Sequence, residues 1–135
     1  MLKRRNPTSG YFEADVYKAF GFTQVVRADK TVHIAGVAPL RGGLSNMEVI
    51  GSGDLRAQIT FCFEQMRRQL ADEGLGFEHV VAHTMYVTDM AAFRDCGDIM
   101  AGLFGDESPA GTVLGVTELF HPEQQFEVSA IAVAP

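Results

Sequence analysis

The chain has 135 residues, enough for one domain that buries roughly 68% of its unfolded surface without staples. Its net charge of −6 and pI near 5.1 weigh against a general nucleic-acid binder, which needs a basic footprint to displace counterions from phosphates. No run approaches the ~20 apolar residues of a membrane span, and the two cysteines, Cys62 and Cys96, make no disulfide framework. Each cysteine falls at an apolar position of an expected helix and reads as a small hydrophobe. The basic start, Lys3-Arg4-Arg5, lacks a following apolar stretch, so it reads as a frayed end rather than a secretory signal, and a reducing cytoplasm is the expected location.

Residues 1–21 show no sustained period and read as an aromatic arm that packs on the body; residues 22–135 read as the single domain. Phe22 to Arg27 reads as a strand, Ala28-Asp29-Lys30 as a turn and Thr31 to Ala35 as the partner strand of a hairpin. Gly36 ends that strand, and Pro39 with Gly42-Gly43 marks a loop. Asp54 then caps a helix whose stripe is Leu55, Ile59, Cys62 or Phe63, Met66 and Leu70, with Gly74 as its stop. Val80 to Thr88 is β-prone on both faces and reads as a central strand. Asp89 opens a second helix with Phe93, Cys96, Met100 and Leu103 or Phe104 inward, weakened by Gly97 and Gly102 by about 1 kcal/mol each relative to Ala. Thr112 to Val116 reads as a short strand.

The last stretch, Phe126 to Ala134, is the cleanest alternation in the chain. Phe126, Val128, Ala130 and Ala132 share one face; Glu127, Ser129, Ile131 and Val133 share the other. Glu127 is the one acid in an otherwise apolar run, and reads either as a paired structural position or as a catalytic one. The order hairpin, helix, strand, helix, strand, strand predicts an α+β fold with two helices on one face of a mixed sheet. The other face, with Ala35, Met85 and the last strand, then needs an oligomer to bury it.

Several stretches carry a family likeness: Gly21-Phe22-Thr23-Gln24-Val25-Val26, His33 to Pro39, Asp54 to Gln58, Val80 to Met90, Pro109-Ala110 within Phe104 to Val116, and Phe126 to Val133. In order and spacing the chain resembles the Rid family (YjgF/YER057c/UK114, formerly endoribonuclease L-PSP). The resemblance implies a chorismate-mutase-like protomer in a homotrimer with ligand clefts between subunits. It implies hydrolysis of reactive enamines and imines, giving a keto acid and ammonia, with no metal or cofactor. Carried over by position, Glu127 is the carboxylate that handles water. Phe22, Ala35, Gly36, Gly111, Thr112 and Ser129 are the substrate-binding positions.

The sequence departs from the family at several of these. Gly111 follows Pro109-Ala110 where an arginine would grip a substrate carboxylate, Phe22 and Ala35 lack hydroxyls, and Gly97 stands where Asn is usual. These losses all remove polar groups, which predicts a more apolar pocket for a larger or less acidic substrate and poor turnover of small 2-imino acids. Arg41 reads as a solvated loop residue or a substitute cation. His33, His79 and His83 read as packed or hydrogen-bonded, without metal-ligand spacing. The rivals to the hydrolase are a non-catalytic ligand-binding or regulatory trimer and a ribonuclease. The acidic charge and the missing stacking platform argue against the ribonuclease.

Overall fold

The strand alternation and the helical three-and-four spacing meet at one core in the computed structural model, which describes residues 1–135. In chain order come β1 (Leu2–Arg5), α1 (Ala14–Phe20), β2 (Val25–Ala28), β3 (Thr31–Val37), β4 (Leu40–Arg41), β5 (Glu48–Val49) and α2 (Leu55–Asp72). A 3-10 turn at Phe77–His79 leads into β6 (Val80–Val87), α3 (Met90–Arg94), α4 (Gly97–Phe104), β7 (Ala110–Gly115) and β8 (Phe126–Val133). Six strands form one mixed sheet in the order β1-β2-β3-β8-β6-β7, with β4 and β5 paired separately. Only β6 and β7 run parallel.

Helix α2 packs across β3 and β8. Its stripe residues Ile59, Cys62, Phe63, Met66 and Leu70 are at most 1% exposed, so the spacing read from the sequence is the face that builds the core. The Asp54 carboxylate accepts from the Ala57 N–H at 3.1 Å, satisfying one of the first-turn donors. At the other end Gly74 takes φ = 74°, Gly74 N–H donates to Ala71 and Leu75 N–H to Leu70. That is the Schellman pattern, with Leu70 and Leu75 both buried across it.

Several expectations differ from the structure. Lys3-Arg4-Arg5 is not a frayed end: it forms most of β1, the edge strand paired antiparallel to β2. All four β1 residues are exposed, so the strand carries no apolar signature. Arg5 and Arg27 both reach Glu73 (2.9 and 3.4 Å), tying this edge to the end of α2, and exposed basic residues suit an open sheet edge. The second helix is two helices. Asp95 and Cys96 N–H groups turn back to Ala92 and Phe93, and the chain restarts at Gly97, whose helical preference is the weakest of any residue but proline. The break keeps Phe93, Cys96 and Phe104 buried but leaves Met100 and Leu103 only partly covered.

A third correction concerns the open face. Met85 stands opposite Val128 in the β6–β8 register and is only 8% exposed, so it belongs to the helix-covered face. The uncovered face carries instead Ile131, Val133 and Leu114, each more than a third exposed. The expected hairpin forms with shifted bounds: β2 starts at Val25 rather than Phe22 and includes Ala28, and β3 runs past Gly36 to Val37. The two strands pair from Val25↔Ile34 to Ala28↔Thr31, and Asp29 takes φ = 55° in the tight turn, a conformation Asp tolerates.

Candidate functional site

Strand β8 alternates as its sequence does. Phe126, Val128, Ala130 and Ala132 are buried against the helices, with Phe126 between Phe63 of α2 and Phe93 of α3. Glu127 therefore points away from that layer. The neighbouring strand makes room for it: pairing of β3 with β8 shifts between Ile34 and Val37, so Ala35 and Gly36 leave the ladder. Ala35 N–H instead donates to Gln24 O (2.8 Å), and the Gln24 side chain returns a bond to Ala35 O (3.0 Å). Bulges of this kind re-aim side chains beside functional sites.

The Glu127 carboxyl fills the space opened at Gly36. A Cβ at Gly36 would overlap Glu127 Oε2 and sit 2.9 Å from its carboxyl carbon. Glycine lets the carboxyl approach this closely; a Cβ would make it move. Glu127 Oε1 accepts from Gln124 Nε2 at 3.0 Å. The carboxyl makes no ion pair within the chain. Burial pushes its pKa up, and the Gln124 bond offsets part of that rise. It opens into a cavity of about 530 Å³ lined by 12 residues, nine of them apolar. Phe12, Val16 and Phe20 come from α1 and the chain before it, Phe22 from the link between α1 and β2, Leu40 from β4, and Phe120 from the crossing segment before β8.

Buried glutamines hold these parts in place, a role the sequence reading did not single out. Gln58 of α2 donates to Glu123 O (2.9 Å) and accepts from Gln125 N–H (2.7 Å), clamping the segment that carries Glu118, Leu119 and Phe120. Gln124 also donates to Phe126 O (3.1 Å), so one amide fixes both the strand entry and the carboxyl. Tyr11 was likewise missed. Its hydroxyl accepts from Ala38 N–H at 2.7 Å, and burial, more than the nearby negative charge of Glu127, pushes its pKa up. A pattern of Gln at inward positions of a helix is the signal that identifies such clamps, because a buried amide requires partners.

The chain brings Phe22, Ala35 and Gly36 to Glu127. Ser129 lies elsewhere, in a second hollow of about 310 Å³ on the uncovered sheet face with His33, Thr84 and Ile131; Ala35 borders both. Gly111 and Thr112 sit on β7, two strands from β8, and line neither cavity. Gly111 is opposite His83, where a Cβ would come within 2.6 Å of the imidazole Cε1. His83 also packs on Phe104 (5.4 Å between centroids), and burial lowers its pKa. Arg41 pairs with Glu48 through two hydrogen bonds (2.9 and 3.2 Å) and is exposed. His79 accepts from Gly76 N–H (3.0 Å), so it caps a turn. Cys62 and Cys96 are free and buried, and burial raises the Cys62 thiol pKa.

The family model described as endoribonuclease L-PSP matches residues 13–134. The chain belongs to this family, the Rid family. The Rid likeness extends to protein DfrA of Myxococcus xanthus, 32% identical over 120 residues that cover 87% of this chain and 88% of that protein. A RutC family protein of Pyrococcus horikoshii is 27% identical over 111 residues, 82% of this chain and 85% of its own. Among solved structures, a Mycobacterium tuberculosis member of the YjgF/YER057c/UK114 family superposes with a TM-score of 0.80 at 26% identity, covering 99% of this chain and 100% of that one. Yeast Mmf1 superposes at 0.82 with 21% identity over the whole of both chains, a likeness of fold. The mixed sheet with its helices on one face is thus the chorismate-mutase-like fold of the Rid family. No helix is long and apolar enough to cross a membrane.

The Gly36–Glu127 contact predicts a specific variant. Gly36→Ala must displace the carboxyl, which is the movable end of a side chain, so stability should fall by no more than about 1–3 kcal/mol. Any function of Glu127 should fall tenfold or more, because the carboxyl leaves the position set by Gln124. Melting curves run beside activity or ligand-binding assays check this; an unchanged function would place the working group elsewhere.

Proposed function

We propose that the protein is a cofactor-free hydrolase of a reactive enamine, imine or related small molecule, with Glu127 as the acid/base group. The observation that carries the reading is a carboxyl without a cation partner, its pKa raised by burial, at the wall of an apolar cavity. Such a group holds a proton closer to neutral pH than an ordinary carboxyl, so it can give one to nitrogen and take one from water in turn. The printed names of the relatives identify family, not substrate, and the RutC and L-PSP labels belong to those proteins.

Phe22, Ala35 and Gly36 act in this reading as the substrate wall. Gly111, Thr112 and Ser129 act in it only if a neighbouring subunit carries them to a cleft, which fits assembly as a homotrimer through the uncovered sheet face. The exposed apolar residues Ile131, Val133 and Leu114 support burial of that face. Light scattering should return three times the chain mass, and Ile131→Asp should shift it toward the monomer. A monomeric wild type would remove the intersubunit cleft. Two free, buried cysteines suit a reducing compartment such as the cytoplasm, although one yeast relative is named as mitochondrial.

Ammonia release from a panel of enamines and imines, with Glu127→Gln alongside, tests the hydrolase reading. A panel hydrolysed no faster than in buffer would leave the rival, a ligand-binding trimer. RNA cleavage has no support from the charge balance.

A further inference from the structure

The cavity at Glu127 has a mouth as well as a floor. Phe20, the last residue of α1, and Phe120, on the segment before β8, meet edge to face with centroids 5.2 Å apart. Both are more than half exposed, 56% and 53%, although each ring has an aromatic neighbour. The two come from distant parts of the chain, and their positions are fixed independently. Gly21 ends α1 with φ = 67° and its N–H on Tyr17 O. Gln58 clamps the backbone at Glu123 and Gln125 beyond Phe120. Phe12 and Phe22 continue the aromatic wall inward.

The charges of this cavity have one sign. Glu118 stands in the lining with Phe120, and Glu127 lies deeper against Gly36. Neither has an ion-pair partner within the chain, and the lining contains no lysine, arginine or histidine. An anionic ligand would bring a further negative charge into an apolar space where this chain supplies no cation to meet it. A cation would meet two acidic side chains and a lining with four phenylalanine rings, whose quadrupoles attract positive charge at the ring face.

We infer that the ligand of this cavity is an arylalkyl or similarly large apolar cation without a carboxylate, an iminium in the reactive form, gripped by Phe20 and Phe120 with Glu118 and Glu127 facing its nitrogen. This deepens the proposed hydrolase and rests on it for the chemical step. In that step water oxygen bonds to the iminium carbon, the C=N π pair moves to nitrogen, and one water proton passes to Glu127. Glu127 returns a proton to nitrogen, the C–N bond breaks with its electron pair on the leaving ammonia, and the remaining hydroxyl proton is lost. The balance is one iminium and one water giving one carbonyl compound and one ammonium ion.

Calorimetric titration of the full chain at pH 7 and low salt with 2-phenylethylammonium and, separately, 3-phenylpropionate tests the charge preference. The ammonium should bind at least tenfold more tightly. Phe20→Ala and Phe120→Ala, both at exposed positions that the core does not depend on, should each weaken it fivefold or more, and Glu118→Gln should narrow the preference. Equal or tighter binding of the carboxylate, or no loss in both Phe variants, would overturn the inference. Ammonia release from the aldimine of phenylacetaldehyde, compared with 2-imino-3-phenylpropanoate, separates the two layers. Selective ammonium binding with no turnover of any imine keeps the ligand class and removes the hydrolase. Turnover confined to the 2-imino acid removes the ligand class and keeps the hydrolase.

Discussion

Glu127→Gln should lower the rate of enamine or imine hydrolysis by about 10²–10⁴-fold, the range supplied by one positioned acid/base group. The amide keeps the shape of the carboxyl and can still meet Gln124 after rotation, so the cavity should persist. The same substitution should stabilise the fold at neutral pH. Burial raises the pKa of Glu127 in the folded chain above its unfolded value. Between those two values the folded state holds a proton that the unfolded state has released. Stability therefore falls as pH rises through that window, and the loss is complete above the folded pKa. Glutamine has no charge to bury and escapes it. Thermal melts of the two proteins should differ at pH 7, with the variant higher, and converge below about pH 4, the range of an unperturbed carboxyl. A variant that is both less stable at pH 7 and fully active would mean that Glu127 is a structural partner.

Phe63→Ala should cost about 3–5 kcal/mol, the largest stability loss expected from a single truncation in this chain. Phe63 is 1% exposed and sits among rings from the 3-10 turn, α4 and β8. Its ring is 6.3 Å from Phe77, 5.9 Å from Phe104 and 6.0 Å from Phe126, so its removal leaves a void among rings that cannot all close on it. Phe126 precedes Glu127 on β8, so the void lies one residue from the acid. Activity should therefore fall as well, more through loss of folded protein than through chemistry. Urea unfolding with an unchanged slope and a lower midpoint checks the first part. A loss below about 1 kcal/mol would show that this cluster is not the centre of the core.

What the sequence disclosed and what it concealed follow from where each signal resides. The stripe of α2 and the alternation of β8 were legible because burial selects apolar residues at fixed periods, and Ile59, Met66, Leu70, Phe126 and Val128 are all buried. β1 was not legible: a fully exposed edge strand made of Leu, Lys and Arg has pairing but no pattern. The division between α3 and α4 was hidden because Phe93, Cys96 and Phe104 keep helical spacing across it, and only Gly97 hinted at the break. Met85 was assigned to the open face because β6 is apolar on both faces, and only its register against Val128 decides the matter.

At the site, the single acid stood out, and Phe22, Ala35 and Gly36 do gather around it. The use made of Gly36 was not legible, since it arises from the approach of a side chain 91 positions away in the chain (127 − 36). Nor was the Phe20–Phe120 pair, which joins two segments with no regular pattern between them. The clamp made by Gln124 was equally invisible, because glutamine is ordinarily a surface residue and no helical period marks this one, whereas Gln58 carried only the signal of its inward helical spacing.

The central claim is that the Glu127 carboxyl performs the chemistry in an apolar cavity. Its most direct test is the pH–rate profile of ammonia release from one enamine or imine substrate, recorded for the wild type and for Glu127→Gln. The wild type should show a limb with an apparent pKa above the ordinary carboxylate range, lost in the variant together with the rate enhancement. Superimposable profiles of equal height would contradict it.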